Sequence, residues 1–340
     1  MKKLIYISLI LGILSACTKS GVLYEQTGEI SFRPVAAKAT KGAVTGSEYP
    51  KDKEHNFRVW SWWGDVPAGT LLKDFPAYPD MFINKGEFTN RTGGNSWGGV
   101  TPYYWPTKGS LMFAGYSPAD ARAMNFSYSW VNHTMTINTY TQPTDISKTH
   151  DLMWFDVTER SYIDNSNMNS NDVEVNGVPV IFRHLLAWLT FRFHIKEGAS
   201  STYILTDVTL KNIETEANFT SRPATGAAEW TDHYLAADID VWSGTQTITS
   251  EPKILESAQN GVIVIPQSCA AEDAQLEITY KPSEGGTPQT KTVYLTAGAD
   301  GHIWKSGKHY TYTLTFGNNE ILVLPEVNDW NTVSVDIEVQ

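Results

Sequence analysis

Alternating apolar and polar residues recur along almost the whole of this chain of 340 residues. In residues 189–195, 310–316 and 333–339, aromatic or aliphatic side chains occupy every second position. Successive side chains of a β-strand point to opposite faces, so a period of two predicts strands with one buried face. No long segment follows the helical period of 3.6 residues. The sequence therefore predicts an all-β fold.

Turn-forming clusters at residues 93–95, 282–286 and 317–319 separate the predicted strands. Short strands at regular spacing between such turns are typical of β-sandwiches. The chain is longer than most single domains, so we expect two. The Asn- and Ser-rich residues 164–172 are too polar for a core and mark the boundary. We place the N-terminal sandwich at residues 55–175 and the C-terminal sandwich at residues 176–340.

The N-terminus has the features of a bacterial lipoprotein signal. Lys2 and Lys3 precede an apolar run, residues 4–14, that is too short to span a bilayer as a helix. The run ends in Leu-Ser-Ala-Cys, which looks like a lipobox. We expect residues 1–16 to be removed by cleavage between Ala16 and Cys17, and the Cys17 thiol to be acylated. The mature chain would then be tethered to a membrane.

The charge and cysteine content exclude several classes of protein. The net charge is −11, which argues against a nucleic-acid partner because phosphate binding needs clustered Lys and Arg. The chain has 2 cysteines. If Cys17 carries lipid, Cys269 has no partner within the chain, and a disulfide framework is excluded. Cys269 lies beside an apolar run, so we expect it to be buried.

No pattern in the sequence indicates catalysis, a cofactor or a metal ion. The 8 histidines are scattered and form no His-Glu-x-x-His motif. Residues 94–98 match the Gly-x-Ser-x-Gly nucleophile elbow around Ser96, but the flanking residues are typical of a loop. His184 lies in an apolar run and is expected to be a hydrogen-bonded core residue. We predict that the protein is not an enzyme.

Two aromatic clusters allow a binding function. Exposed rings in these clusters could stack on sugars, whereas buried rings would belong to the first sandwich core. The exposed case gives an alternative function, a non-polymerising surface lipoprotein that binds carbohydrate. The six residues concerned are Trp60, Trp62, Trp63, Tyr103, Tyr104 and Trp105.

Several landmarks together resemble the fimbrillin-like lipoproteins of Bacteroidales, which are the major, minor and tip subunits of the type V pilus. They follow the family's order and cover most of the mature chain. The matching segments are residues 103–119, 151–154, 182–191, 265–267, 304–314 and 327–330.

The resemblance implies two transthyretin-like Greek-key β-sandwich domains in tandem, without catalysis. It also implies a lipoprotein precursor at the cell outer membrane and a fimbrium after processing. A trypsin-like protease would cut the loop after the first strand. The groove that this strand leaves would accept a C-terminal strand of the next subunit by β-augmentation. The expected partners are other pilus subunits and a surface glycan or protein receptor.

The scheme maps onto two ends of this sequence. Residues 17–54 would contain the lipid tether, the first strand and the cleavable loop. Ile30 and Phe32 lie on one face of that strand and would plug the groove, while Lys38 and Lys41 would be the cleavage sites. The donor strand would present a row of four apolar residues: Val333, Val335, Ile337 and Val339.

Overall fold

The computed structural model describes most of the chain. The described residues are 28–35, 49–52, 55–66, 72, 79–91, 94, 96–120, 125–161, 177–198, 202–222, 227–255, 261–270, 273–282, 285–317 and 321–330. Strands dominate this part of the chain, which contains no α-helix. The prediction of an all-β fold is therefore confirmed.

In chain order the strands are β1 (Ser31–Val35), β2 (Phe57–Gly64), β3 (Asp80–Asn90), β4 (Trp97–Gly99), β5 (Ser110–Ser117), β6 (Asn125–Ser129), β7 (Thr134–Thr141), β8 (Met153–Ser161), β9 (Val178–His184), β10 (Ala187–Ile195), β11 (Tyr203–Arg222), β12 (Ala227–Ile248), β13 (Lys253–Ile254), β14 (Val262–Val264), β15 (Gln275–Lys281), β16 (Gln289–Tyr294), β17 (Lys308–Phe316) and β18 (Ile321–Asp329). Two 3₁₀ turns, Ile146–Lys148 and Gly298–Asp300, lie between strands.

Seven strands form a closed barrel in the order β1-β4-β3-β2-β5-β8-β9. Six of the seven contacts between neighbouring strands are antiparallel. The seventh is the parallel pairing of β1 with β9, and it closes the ring. The barrel therefore depends on a contact between the first described strand and one that follows much later in the chain.

The remaining strands form two further sheets. One has the order β13-β10-β17-β18, with β14 also paired to β10. The other has the order β16-β15-β11-β7-β6, with β12 also paired to β11. The inward faces of the two sheets share one core, in which Phe191, Trp304, Tyr310 and Tyr312 are buried. This core is the interior of a β-sandwich, as predicted from strand spacing.

The hairpin of β6 and β7 joins the two halves of the molecule. Both strands belong to the first half of the sequence, yet β7 pairs with β11, placing Ile137 opposite Phe219. β11 and β12 are 20 and 22 residues long and extend beyond the second sandwich toward the barrel. β9 belongs to the barrel although it follows residue 175. The division of the chain at residue 175 stays a prediction.

A middle layer of apolar side chains lies between the barrel and the sheet that contains β7 and β11. In β2, Phe57 and Val59 belong to the core inside the barrel, whereas Trp60 and Trp62 belong to the middle layer. A strand that is covered on both faces needs apolar residues on both. This explains why five of the seven residues 57–63 are apolar and why they do not alternate strictly with polar residues.

Candidate functional site

The strand β1 fills the space between β4 and β9. It pairs with β4 through Ser31 and Phe32, opposite Gly98 and Trp97. On its other side, Phe32 lies opposite Val178. Just before the strand, the Ile30 amide donates a hydrogen bond to the Tyr103 carbonyl at 2.7 Å. Both edges of this short segment are therefore hydrogen-bonded to the barrel.

Phe32 occupies the centre of the barrel core. Its side chain is fully buried, as is that of Ile30. The ring centroid lies 4.8 Å from that of Phe88 and 5.2 Å from that of Phe113, with both pairs edge to face. The rings of Phe57 and Phe155 also surround Phe32, with centroids 5.9 and 6.2 Å from its own. Edge-to-face pairs add to the free energy of burial, so Phe32 is a main source of the barrel's stability.

A glycine allows β9 to approach β1. Gly177 has φ +83°, a left-handed conformation that favours glycine. A Cβ atom there would lie 2.7 Å from the carbonyl carbon of Phe32. Any other residue would push β1 away from β9. The contact that closes the barrel is therefore a tight backbone contact, shaped for an extended chain in the position of β1.

Removal of residues 28–35 would open a groove in the barrel wall. Its edges would be β4 and β9, whose backbone groups now bond β1. Its floor would consist of the rings that surround Phe32, which are those of Phe57, Phe88, Phe113 and Phe155. Unpaired strand edges and exposed aromatic rings are unfavourable in water, so the barrel is stable only while this position is filled.

A second notable cluster lies where β9 meets the end of β18. Trp330, 3% exposed, follows β18 and stacks on His184 with a centroid distance of 4.1 Å. His184 Nδ1 lies 3.0 and 3.1 Å from the two carboxylate oxygens of Asp151. The Trp330 amide donates to the Gly307 carbonyl at 2.7 Å. We call Asp151, His184 and Trp330 the C-terminal joint, since residues 331–340 follow directly.

The short link between β9 and β10 is held from several sides. The Leu185 carbonyl accepts hydrogen bonds from Trp230 Nε1 at 2.8 Å and from Ser306 Oγ at 2.7 Å. The Leu186 carbonyl accepts one from the Gly307 amide at 3.0 Å. The C-terminal joint is therefore attached to a rigid connection between barrel and sandwich.

His309 extends the aromatic cluster across the outer face of β10 and β17. Its ring stacks on Trp188 at 3.6 Å, and its Nε2 lies 2.8 Å from the Thr190 hydroxyl. Burial lowers the pKa of His309 to about 4, and the charge of Arg192 lowers it further while Glu326 opposes the shift. The imidazole is therefore neutral at pH 7.

The sequence-predicted residues fall into two groups. Phe32, in β1, and Ile30, just before it, are described and are both buried. Their role as a removable plug stays a prediction. Other predicted residues lie outside the described part of the chain and also stay predictions: Ala16, Cys17, Lys38, Lys41, Val333, Val335, Ile337 and Val339.

The alternative of an aromatic sugar platform is wrong for three of its rings. Trp60 and Trp62 are buried in the middle layer, and Trp105 is buried against the barrel core. Trp63 is half-buried, and its Nε1 donates to the Lys108 carbonyl at 2.9 Å. Tyr103 and Tyr104 are also half-buried. The rings do not form an exposed platform, because neighbouring sheets cover both faces of β2.

Cys269 is fully buried, as predicted. Burial raises the pKa of its thiol to about 11, so the thiol stays protonated at neutral pH. In the part of the chain that the structure describes, no three His, Cys, Asp or Glu residues are grouped to hold a metal ion. Across the same ranges, no helix has the length and apolar character needed to cross a bilayer.

Comparisons with known proteins agree with this architecture. A family model described as fimbrillin-like matches residues 64–330. A fimbrial protein from Bacteroides vulgatus has a similar structure, with TM-score 0.60, 15% identity, and coverage of 90% of this chain and 100% of that one. A protein described as a cell adhesion protein from Bacteroides uniformis gives TM-score 0.52, 18% identity, and coverage of 89% and 98%. No curated protein matches the sequence.

Replacement of Phe32 by Ala should destabilise the barrel strongly. The change removes a fully buried ring from a cage of four others and leaves a cavity, which costs about 3–5 kcal/mol. The measurement is urea unfolding of the full chain. Ser31→Ala is the control, because Ser31 is only half-buried, and we expect a change within about 0.5 kcal/mol. Equal effects of the two substitutions would contradict the central role of Phe32.

The low pKa of His309 predicts a loss of stability in acid. In the unfolded chain His309 takes up a proton near pH 6.5, whereas the folded protein resists protonation until about pH 4. Its contribution is therefore complete above pH 6.5 and is lost as the pH falls toward 4. His309→Phe keeps a ring against Trp188 and should flatten the decline of unfolding free energy over this range. The exposed His302→Gln variant should keep the wild-type slope, and equal slopes for both variants would refute the prediction.

Proposed function

The chain belongs to the fimbrillin-like family, and we propose that it is a subunit of a surface fimbrium that assembles by exchange of β1. Membership of this family makes it a structural protein and not an enzyme. The observation that carries the proposal is the position of β1. It is a short strand near the N-terminus, it closes a barrel, and it fills the barrel core with a single large side chain.

The first step is export and anchoring. The precursor would be cleaved before Cys17, acylated there and carried to the outer membrane. Residues 36–48 follow β1 directly and contain Lys38 and Lys41. A trypsin-like protease that cuts after either lysine would separate β1 from the rest of the subunit. β1 would then be held only by noncovalent contacts.

The second step is replacement of β1 in the groove. The incoming strand would come from residues 331–340 of a neighbouring subunit. It would offer four apolar side chains at alternate positions, whereas β1 and the residue before it offer three, those of Ile30, Phe32 and Pro34. Each buried aliphatic or aromatic side chain contributes about 1.5–3 kcal/mol. A longer apolar row therefore favours exchange, provided that the strand satisfies the backbone groups of β4 and β9.

The C-terminal joint supports this direction of assembly. Trp330 is fixed against His184 at the end of β9, so the start of the donor segment is attached to the barrel of its own subunit. Because Trp330 is fixed, a donor segment that begins at residue 331 would start from a defined position, which lowers the entropy cost of its binding. Similar folds in a fimbrial protein and in a protein described as a cell adhesion protein are consistent with the proposal.

Charges on the apolar face of the donor segment should abolish the polymer. Val335→Asp with Ile337→Asp would place two carboxylates in the apolar groove, where burial of an unpaired charge is very costly. We expect a folded, soluble monomer and no high-mass ladder on gels after protease treatment. The control is Thr332→Asp with Ser334→Asp, which adds the same charge on the opposite face and should leave the ladder intact.

Two results would overturn the proposal. An unchanged ladder in the Val335 and Ile337 double variant would exclude this segment as the donor. Loss of the ladder in both double variants would show that added charge alone prevents assembly. Circular dichroism and thermal unfolding of each monomer establish that the variants are folded before they are compared.

A further inference from the structure

The groove that β1 occupies has one large pocket at its centre. In β1 and the residue before it, three alternate side chains are buried, those of Ile30, Phe32 and Pro34. Of these three, Phe32 alone is aromatic, and its ring centroid lies 4.8–6.2 Å from those of four other phenylalanine rings. The central position is therefore shaped for a flat aromatic ring, with a smaller side chain two residues to either side.

The walls of this pocket are held in place by strands other than β1. The four surrounding rings lie on β2, β3, β5 and β8. These strands pair with one another in the ring, β3 with β2, β2 with β5 and β5 with β8. None of these pairings uses a backbone group of β1. An incoming strand would therefore meet a pocket of the size that Phe32 now fills.

Tyr49 joins the two edges of the groove from inside the barrel. Its ring stacks on Phe182 of β9 with centroids 4.8 Å apart. The same ring meets Trp97 of β4 edge to face at 5.6 Å. Tyr49 follows Lys38 and Lys41 in the sequence, so it would remain in the subunit after the proposed cut. It would therefore keep β4 and β9 near the spacing that β1 requires.

The chain's own donor segment has no side chain of the size of Phe32. Residues 331–340 contain no Phe, Tyr or Trp, and their alternating apolar row consists of three valines and one isoleucine. Trp330, the nearest aromatic residue in the sequence, is buried against His184. Whichever apolar residue of the row lay at the Phe32 position, part of the pocket would stay empty. A void in a close-packed core is destabilising.

We propose that the groove selects a donor strand that places an aromatic ring at the Phe32 position, and hence a strand from a subunit of a different kind. The inference rests on the proposed strand exchange. The chain's own donor row is β-branched throughout, which suits an acceptor with a smaller central pocket. A homopolymer can still form when no other donor is present, because the aliphatic row fills most of the groove. In a mixture, the aromatic donor displaces it.

The test measures which peptides enter the groove after the cut. The acceptor is the full-length chain with Val335→Asp and Ile337→Asp, so that its own donor segment does not compete. Limited trypsin treatment cuts it after Lys38 or Lys41, and synthetic peptides are then added. Native mass spectrometry measures the fraction of cut chains that hold the β1 fragment and the fraction that hold a peptide. The peptide concentration that occupies half of the acceptor is the quantity compared.

Two peptides with the sequence of β1 calibrate the pocket at a known register. One has residues 28–35, and the other has the same residues with Phe32→Val. The valine peptide should need at least about a tenfold higher concentration, because valine leaves part of the pocket empty. Equal concentrations for the two peptides would show that the pocket does not require a ring, and would overturn the inference.

The donor peptides are residues 331–340 and four variants that test every register. One of the four variants should occupy the groove at a concentration at least about tenfold lower than the unsubstituted peptide. A peptide with Ser334→Phe is the matched control, because it adds the same ring on the opposite face of the strand, and it should gain nothing. The four variants are Val333→Phe, Val335→Phe, Ile337→Phe and Val339→Phe.

The outcomes separate this inference from the proposed function. If the unsubstituted peptide enters the groove as well as all four Phe variants do, strand exchange stands and the selection of a ring is refuted. An equal gain from Ser334→Phe also refutes selection, since the ring would then act by general hydrophobicity. If no peptide enters, including that of β1 itself, strand exchange fails and the inference fails with it.

Discussion

The packing of Phe32 among four other phenylalanine rings is the interaction on which the barrel depends. Phe32 is delivered by β1, which also supplies the backbone groups that join β4 to β9. The same short segment therefore both closes the barrel and fills its core. Most barrel strands are connected along the chain to a strand that is also their neighbour in the barrel. β1 instead continues along the chain into β2, which is not its neighbour in the barrel, and no described strand precedes β1. This makes it the strand that a single cut could release.

The groove that β1 occupies and the C-terminal donor segment, the two regions proposed to act in assembly, are connected through β9. β9 forms one edge of the groove and ends at His184, which stacks on Trp330 at the start of the C-terminal segment. A strand bound beside β9 would therefore lie on the same element that holds the donor segment of its own subunit. The hydrogen bonds to Leu185 and Leu186 keep this connection stiff, so successive subunits in a fibre would be joined with little freedom to bend.

The alternation of apolar and polar residues predicted the strands of which only one face is buried. Residues 189–195 and 310–316 were expected as strands and correspond to β10 and β17. Burial of Ile30 and Phe32 followed from the same pattern. The pairing of β1 with β9, and the entry of β6 and β7 into the second sheet, could not be predicted because periodicity reports which face is buried and not which strand covers it. For the same reason the sequence left open whether Trp60 and Trp62 are buried or exposed, and the structure shows that both are buried.

The most direct measurement is the N-terminus and intact mass of the chains in fibres isolated from cells, determined by Edman degradation and mass spectrometry. If β1 is the strand that is exchanged, the chains begin just after Lys38 or Lys41, and Ile30 and Phe32 are absent from the washed fibre. Fibres whose chains retain the acylated Cys17 and an uncut β1 would show that the barrel stays closed by its own strand, and would contradict assembly by strand exchange.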